Sequence, residues 1–458
     1  MKLFLEPESI AIIGAPRLTG EGSLNMMENL IHNGFTGKIY PINPHAVDIL
    51  GEKVFSNIKE VPGKIDLAVI STPRSAVLGA LNECIQKNVK AIIIVAGGFS
   101  DAGEEGRLLQ ARIVKTAKEG GTRILGPNSL GVANAFYNLS TAFLPLPMKK
   151  INSGMICQSG ALFFGTPRFI LTGKAIDIGN ACDIDFADGL EYFEDDPEIS
   201  LISLYIEGLQ NASRFMKVAR RVAEKKPLLA LKAGRSRLGA KAAQSHTGSL
   251  TGMDHIYDAA FKQCGIIRVN DMDELEDLSK AFLRLPLMRG RKVGIATISG
   301  AAGTLVVDAC EQYNLEIAQL SSKTAEKIQC IYPSWFSLRN PVDMGPPSYT
   351  TDNLKKTAKV VLESLLLDEQ VDGVVFIVGA LPGNQASLCT EILSQAAEAF
   401  RDKPIVSWLV NPDVNREVAS KYDSTGKTVV YPTCNRAVRA LRVLVDRSEF
   451  LEKAEPMI

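Results

Sequence analysis

Histidine is scarce in this sequence: only His32, His45, His246 and His255 occur in 458 residues. Any imidazole chemistry therefore has few candidates. An excess of either charge is also missing, since Lys+Arg and Asp+Glu are both 51 and the formal net charge is zero. That balance argues against a partner held mainly by electrostatics, such as nucleic acid or an anionic membrane. No run approaches the roughly 18 apolar residues of a membrane helix. The opening MKLFLEPESIAIIGA lacks the pattern of a secretory leader and runs straight into a strand-like segment. The eight cysteines, Cys84, Cys157, Cys182, Cys264, Cys310, Cys330, Cys389 and Cys434, form no CxxC pair and no cysteine–histidine cluster. A zinc site and a disulfide framework are both disfavoured, and the expectation is reduced thiols in a cytoplasmic protein without a metal site.

What is present is a globular composition, 46% apolar, long enough for about two to four domains. Apolar runs bounded by glycine alternate with helix-like stretches: SIAIIG, KIYPINP, DLAVIST, KAIIIVAGG and TRILGPN. This alternation predicts a parallel, doubly wound α/β sheet. The proline-rich LPLPMKKIN, residues 144–152, closes this unit at residue 148. SGMICQSG, AIDIGN, ISLYIEG, PLLALKAG and IIRV then build a second unit, 149–288, ending in the linker-like RLPLMRGRK. KVGIATISG, NLEIAQL, DGVVFIVG, PIVSWLV and TVVYPT build a third, 289–458. The second and third open alike, MICQSGALFFG against IATISGAAGTLV, as one domain type used twice.

The first loop begins Gly14-Ala15-Pro16-Arg17. A glycine loop between a strand and a helix suits a phosphate, because backbone N–H groups and the helix dipole face it. A dinucleotide site would also need a carboxylate at the end of the second strand, to hold the ribose. That strand ends Tyr40-Pro41-Ile42-Asn43, and with Arg17 and Lys38 nearby, coenzyme A is favoured over NAD. The other strand ends, Ser71-Thr72-Pro73, Gly97 and Asn128-Ser129, are small or polar. Open α/β sheets bind ligands at such ends.

His246 lies in a stretch from Gly234 to Gly252 whose only large apolar residues are Leu238 and Leu250. The composition predicts a mobile loop, where a neutral imidazole can serve as a covalent nucleophile toward phosphorus or an acyl carbon. Glu207 ends the run ISLYIEG and is placed to accept the other ring N–H. The turns Ser159-Gly160-Ala161 and Ser299-Gly300-Ala301-Ala302-Gly303 would each offer helix N-terminal N–H groups to a phosphate on the histidine. His32 and His255 sit in helical patterns and read as packed or surface residues, whereas His45 follows the polar Asn43-Pro44.

These segments carry a resemblance. IAIIGAPR, GFTGKIYPINPHAVDILG, DLAVISTP, GEEG and ILGPNSLGV resemble the CoA-binding domain of the NDP-forming acyl-CoA synthetases, relatives of succinyl-CoA synthetase. CQSGAL, IGNACDIDFADGLEYF, YIEG, LKAGRS and SHTGSLTG continue the likeness, and ISGAAG with NPVD resembles the C-terminal domain. The resemblance implies a Rossmann-like domain followed by two flavodoxin-like domains. It also implies an ADP-forming ligase that joins a small carboxylic acid to CoA through an acyl phosphate and a phosphohistidine. His246 would carry the phosphate, Glu207 would assist it, and the Ser159 and Ser299 turns would hold the phosphate. Gly14 to Arg17, Lys38, Asn43, Ser71 to Pro73, Gly97, Asn128 and Ser129 would hold CoA. Pro16 stands where the family has serine, Ser129 where cysteine is commoner, and SGAAG replaces a run with two glycines and a proline. The family's ATP-grasp domain has no room in three domains of ordinary size. The chain is therefore expected to be an α subunit in a hetero-oligomer whose ATP-grasp β subunit brings ATP or GTP with Mg. The rival readings are a non-catalytic CoA sensor of the same fold, a nicotinamide oxidoreductase and a protein acetyltransferase.

Overall fold

The computed structural model describes residues 1–20, 22–146, 148–160, 172–241, 253–347, 351–378, 385–410 and 428–454. It divides into two units, Met1–Glu276 and Asp277–Ile458.

Two sheets make up the first unit. The first contains β1 (Ser9–Ile13) and β2 (Lys38–Ile42), followed in the chain by the small hairpin β3 (Asp48–Ile49) and β4 (Glu52–Lys53). It continues with β5 (Leu67–Ile70), β6 (Ala91–Ile94) and β7 (Arg123–Leu125), in the order β2-β1-β5-β6-β7. Every pairing along it is parallel. β1, β5 and β6 are buried at every position, which is why they read as unbroken apolar runs rather than alternating ones. The helix Val77–Gln86 buries Val77, Ala80, Leu81 and Cys84, one stripe at i, i+3, i+4 and i+7.

The second sheet comprises β8 (Gly131–Asn134), β9 (Leu139–Ser140), β10 (Ser153–Cys157), β11 (Lys174–Asp177), β12 (Leu201–Ile206), β13 (Leu228–Lys232) and β14 (Ile266–Val269). Their order is β14-β13-β12-β10-β11-β8-β9. β8 and β9 pair antiparallel, so residues 131–140 belong to the second sheet. The chain thus changes sheets at Gly131, ahead of the proline-rich junction at which the sequence suggests a boundary. Arg123 of β7 ties the two sheets together, reaching both carboxylate oxygens of Asp183 at 2.9 Å and Asp188 at 3.3 Å. Asp185 and Asp188 form a capping box on the helix Phe186–Glu194.

The second unit contains β15 (Lys292–Thr297), β16 (Glu316–Ile317), β17 (Val342–Asp343), β18 (Gly373–Val378), β19 (Ile405–Leu409) and β20 (Val429–Tyr431). Its order is β16-β15-β18-β19-β20, with β17 paired to the end of β15. The unit begins at Asp277, inside the helix Met272–Arg284 and ahead of the linker-like 284–292. Asp277 is fixed there by Arg436, whose Nη2 donates to its Oδ1 at 2.7 Å.

β11-β10-β12-β13-β14 and β16-β15-β18-β19-β20 have the same order, with the first strand of each set between the second and third. The two flavodoxin-like sheets expected from SGAL and SGAA are therefore alike in topology. Strand order reverses at β1, β10 and β15 of the three sheets, and the loops leaving these strands are the natural ligand positions. Among the described residues no helix is long and apolar enough to cross a membrane.

Candidate functional site

In the first sheet, the N–H groups of Gly14 and Ala15 donate to the Ile42 carbonyl at 2.9 and 3.2 Å. Asn43 Nδ2 donates to Ala15 O at 2.9 Å, and its Oδ1 accepts from the His45 N–H at 2.9 Å. Asn43 thus binds the loop back to the end of β2. Gly14 has φ +82°, and a Cβ there would stand 2.6 Å from Ser71 O, so only glycine lets β1 and β5 approach so closely. Beside it, Thr72 Oγ1 is buried without a hydrogen-bond partner among the described residues. A polar ligand entering the cleft would satisfy it.

Gly97 and Asn128 join this edge. A Cβ on Gly97 would lie 3.1 Å from Asn128 Oδ1, and the Asn128 N–H donates to Ala96 O at 2.9 Å. Arg17 is exposed on the loop beyond Pro16. The helix expected close behind the loop begins only at Met26, and Asn25 caps it while donating to the Leu18 carbonyl at 3.0 Å. That helix end therefore stands some ten residues beyond Gly14 in the chain rather than directly behind the loop.

Two expected residues fall elsewhere. Lys38 is the first residue of β2 and pairs with Ser9, so it lies at the opposite edge of the sheet, roughly 13 Å from the strand ends. Its proximity to Gly14 is one of sequence only. Ser129 is 2% exposed, and its hydroxyl donates to the Asp177 carbonyl while accepting from the Gly131 N–H at 2.8 Å. This side chain fastens the crossover into the second sheet and turns away from the cleft.

At the carboxyl end of the second sheet a buried polar cluster forms. Gln158, directly after β10, accepts the N–H groups of Glu207 and Gly208 at 2.8 and 3.0 Å through one oxygen, Oε1. Gln158 and Glu207 are each 5% exposed. Asp177, at the end of β11, accepts from Leu130 N–H at 2.8 Å and Gly179 N–H at 3.1 Å. Burial nevertheless pushes its carboxyl up to about 7, and the charge of Glu207 adds to the rise. Burial and then Glu207 raise the Tyr205 phenol to about 12. Lys232, ending β13, donates to the Glu207 carbonyl at 2.9 Å and to the Ala233 carbonyl, and burial pushes its ammonium down to about 8. Ser159 and Gly160 follow Gln158 at this edge, and a Cβ on Gly160 would meet Leu130 Cδ1 at 2.6 Å. Ala161 and His246 lie outside the described residues.

Gln158, Asp177 and Lys232 belong to this cluster, and the sequence alone assigned none of their side chains a role. Their signal was a polar or charged residue ending or directly following an otherwise buried strand. Gln158→Leu should leave two buried N–H groups unpaired, at about 1–3 kcal/mol each. A fall in melting temperature of about 4 °C or more is expected by calorimetry. Gln158→Glu, which keeps the acceptor, should lose less.

In the second unit, Ser299 precedes the helix Gly300–Gln312. Its N–H donates to Thr297 Oγ1 at 3.0 Å, while that hydroxyl donates to Ser299 O at 2.7 Å. Ser299, Gly300 and Ala301 are exposed, Ala302 is half-buried, and Gly303 is buried against Pro341. Asp343 adds a carboxylate here, its Oδ2 3.7 Å from where a Gly300 Cβ would be, and its Oδ1 accepts from Gly345 N–H at 2.9 Å. Asn340 supports the turn from below, bridging Ile295 N–H, Val293 O and Ala318 O at 2.9 Å each.

Three families match in succession: a CoA binding domain over residues 8–135, a succinyl-CoA ligase like flavodoxin domain over 151–282 and a ligase-CoA domain over 293–449. A curated relative, acetate–CoA ligase [ADP-forming] II subunit alpha of Pyrococcus furiosus, is 37% identical over 433 residues, 92% of this chain and 93% of its own length. Acetate–CoA ligase [ADP-forming] of Methanocaldococcus jannaschii is 42% identical over 75% of this chain, and the match spans 49% of that longer protein. Among solved structures, a dinucleotide forming acetyl-coenzyme A synthetase 1 of Ca. Korarchaeum cryptofilum, in complex with phosphate and ADP, superposes with a TM-score of 0.88. It is 29% identical and covers 100% of this chain and 99% of its own.

Proposed function

The chain belongs to the family of ADP-forming acetate–CoA ligase α subunits, and from that premise we propose how its three sheets share the ligase reaction. The reaction joins a carboxylic acid to CoA at the expense of a nucleoside triphosphate. The nucleotide, with its magnesium ion, is bound by an ATP-grasp β subunit. A ring nitrogen of His246 attacks the terminal phosphorus, the bond to the leaving diphosphate breaks, and Glu207 accepts the hydrogen bond of the other ring nitrogen. The acid's carboxylate then attacks that phosphorus, the P–N bond breaks and acyl phosphate forms. Finally the CoA sulfur attacks the acyl carbon, the C–O bond to phosphate breaks, and the thiol proton ends on the released phosphate.

The observation that carries this reading is the placement of Glu207. It is held in a buried cluster by Gln158, beside the strand β13 that leads into the segment containing His246. A protein that only senses CoA would have no use for a carboxylate buried there. The N–H groups near Ser159 and Ser299 are assigned to the phosphate. Gly14 to Arg17, Asn43, Ser71 to Pro73, Gly97 and Asn128 are assigned to CoA.

The test is to incubate the complex of this chain and its partner with γ-labelled nucleotide alone. Label that is acid-labile and base-stable should appear on this chain and leave it when acid and CoA are added. Acyl-CoA formation without any label on this chain would overturn the reading. The CoA cleft has its own test: in Gly14→Val, the Cβ clash with Ser71 O and the strained φ should weaken CoA binding at least about tenfold by calorimetry.

A further inference from the structure

The buried cluster contains a charge that the reaction steps above do not use. Lys232 is 2% exposed, and among the described residues no carboxylate lies within ion-pair distance of its ammonium. Burying a cation without a counter-ion is costly, and a methionine would fill the same space without that cost. Two of its three N–H donors go to the carbonyls of Glu207 and Ala233. The Tyr257 ring centroid lies 4.7 Å from Nζ, close enough for its π face to stabilise the charge.

These partners occupy three places around one junction. Glu207 follows β12, Ala233 follows β13, and Tyr257 stands on the helix Asp254–Cys264, the first described element after residue 252. A second brace lies outside this one: Arg235 Nη1 donates to Asn270 Oδ1 at 2.9 Å and Arg235 Nε stands 3.7 Å from Asp254 Oδ2. Arg268 of β14 pairs with Asp254 and Asp258. The outer brace already has paired charges, so Lys232 is not needed to hold the helix by an ion pair.

We propose that Lys232 is a positioning residue for phosphoryl transfer: through its bond to the Glu207 backbone it fixes that residue, and its charge stands behind the Glu207 carboxylate. This rests on the reading of Glu207 as the partner of a phosphorylated His246. The groups facing the ammonium are Glu207 directly after β12, Asp254 and Tyr257 on the helix Asp254–Cys264, and Arg268 on β14. Burial is the largest influence and favours the neutral amine, Arg268 acts in the same sense, and Asp254 and Glu207 oppose them. The ammonium is charged below about 8 and neutral above it. Its contribution should therefore be present at neutral pH and fade as the pH rises through that value.

The experiment measures single-turnover transfer of labelled γ-phosphate to this chain in the assembled complex, from about pH 6.5 to about pH 9.5. CoA affinity and melting temperature serve as controls. Wild type should show an alkaline fall centred near the ammonium's value of about 8. Lys232→Met should lower the rate at neutral pH about ten- to hundredfold, leave CoA affinity unchanged and show no alkaline fall. Lys232→Arg keeps a charge throughout and should recover part of the rate, also without the fall. If Lys232→Met does not fold, Tyr257 decides: Tyr257→Leu, which removes the π face, should move the fall to lower pH, and Tyr257→Phe should leave it in place. A wild-type rate and pH profile in Lys232→Met, or an unmoved fall in Tyr257→Leu, would overturn the proposal. Absence of label on wild type would instead bring down the phosphohistidine reading and this inference with it.

Discussion

His246→Ala should abolish acyl-CoA formation by the complex, a loss of at least about a thousandfold, or about 4 kcal/mol of transition-state stabilisation. The size follows from its proposed role. A nucleophile that carries the phosphoryl group is a stop on the only route from nucleotide to acid, and alanine offers no atom to carry it. CoA affinity should hardly change, since Gly14, Thr72, Gly97 and Asn128 follow strands of the first sheet, whereas the proposed carrier lies in the chain between β13 and β14 of the second. Glu207→Gln should cost less, about ten- to hundredfold, as when the carboxylate behind a functional histidine is removed. It keeps the backbone N–H that Gln158 holds, so the fold should survive. The measurements are acyl-CoA production and label retained on this chain. Label persisting in His246→Ala, or wild-type turnover by that variant, would remove the phosphohistidine step.

Much of the architecture was legible because buried parallel strands announce themselves. LAVI and AIII are apolar throughout and buried throughout, so no periodicity had to be interpreted. The strands that escaped notice are short and depend on neighbours: β3 and β4 on each other, β8 on β11, β9 on β8, and β17 on the last two residues of β15. Nothing in GVAN or VD alone says which sheet will pair with it. The same limit applies near residue 148, where composition marks a loop while hydrogen bonding to β11 already carries the chain into the second sheet at Gly131.

The site was legible where chemistry and position coincide. Gly14, Asn43, Thr72, Gly97 and Asn128 sit at strand ends, and topology gathers such ends along one edge. Lys38 shows how sequence distance misleads, because a residue that begins a strand lies at the wrong edge however near the loop it seems. Ser129 shows the converse, a residue beside the cleft whose hydroxyl is already committed to Asp177 and Gly131. Asp177 and Lys232 were hidden inside the runs KAID and LLALK, where a terminal charge resembles an ordinary strand exit. Only three-dimensional burial separates a solvated strand end from a charge 1–2% exposed.

The largest effect of all should come from leaving out the partner. On its own, the 458-residue chain should bind CoA yet form no acyl-CoA from acid, CoA and ATP. Its three successive family matches provide a CoA-binding domain and two ligase domains, spanning residues 8 to 449. None of the three is assigned to hold the nucleotide. The matched segment is 75% of this chain but only 49% of the Methanocaldococcus relative, so that protein is the longer of the two and has room for a further domain in one polypeptide. An ATP-grasp subunit would bring the terminal phosphorus to His246, and without it the imidazole has nothing to attack. Turnover by the purified chain should therefore sit at background and rise at least about a thousandfold when the partner is added. CoA binding measured by calorimetry should be nearly the same in both cases. Acyl phosphate offers the sharper comparison: supplied with CoA, the chain alone should form some acyl-CoA, because that step needs no nucleotide. Sustained ATP-dependent turnover by the single chain, free of any contaminating partner, would show that the nucleotide site lies within these 458 residues and that the division of labour proposed here is wrong.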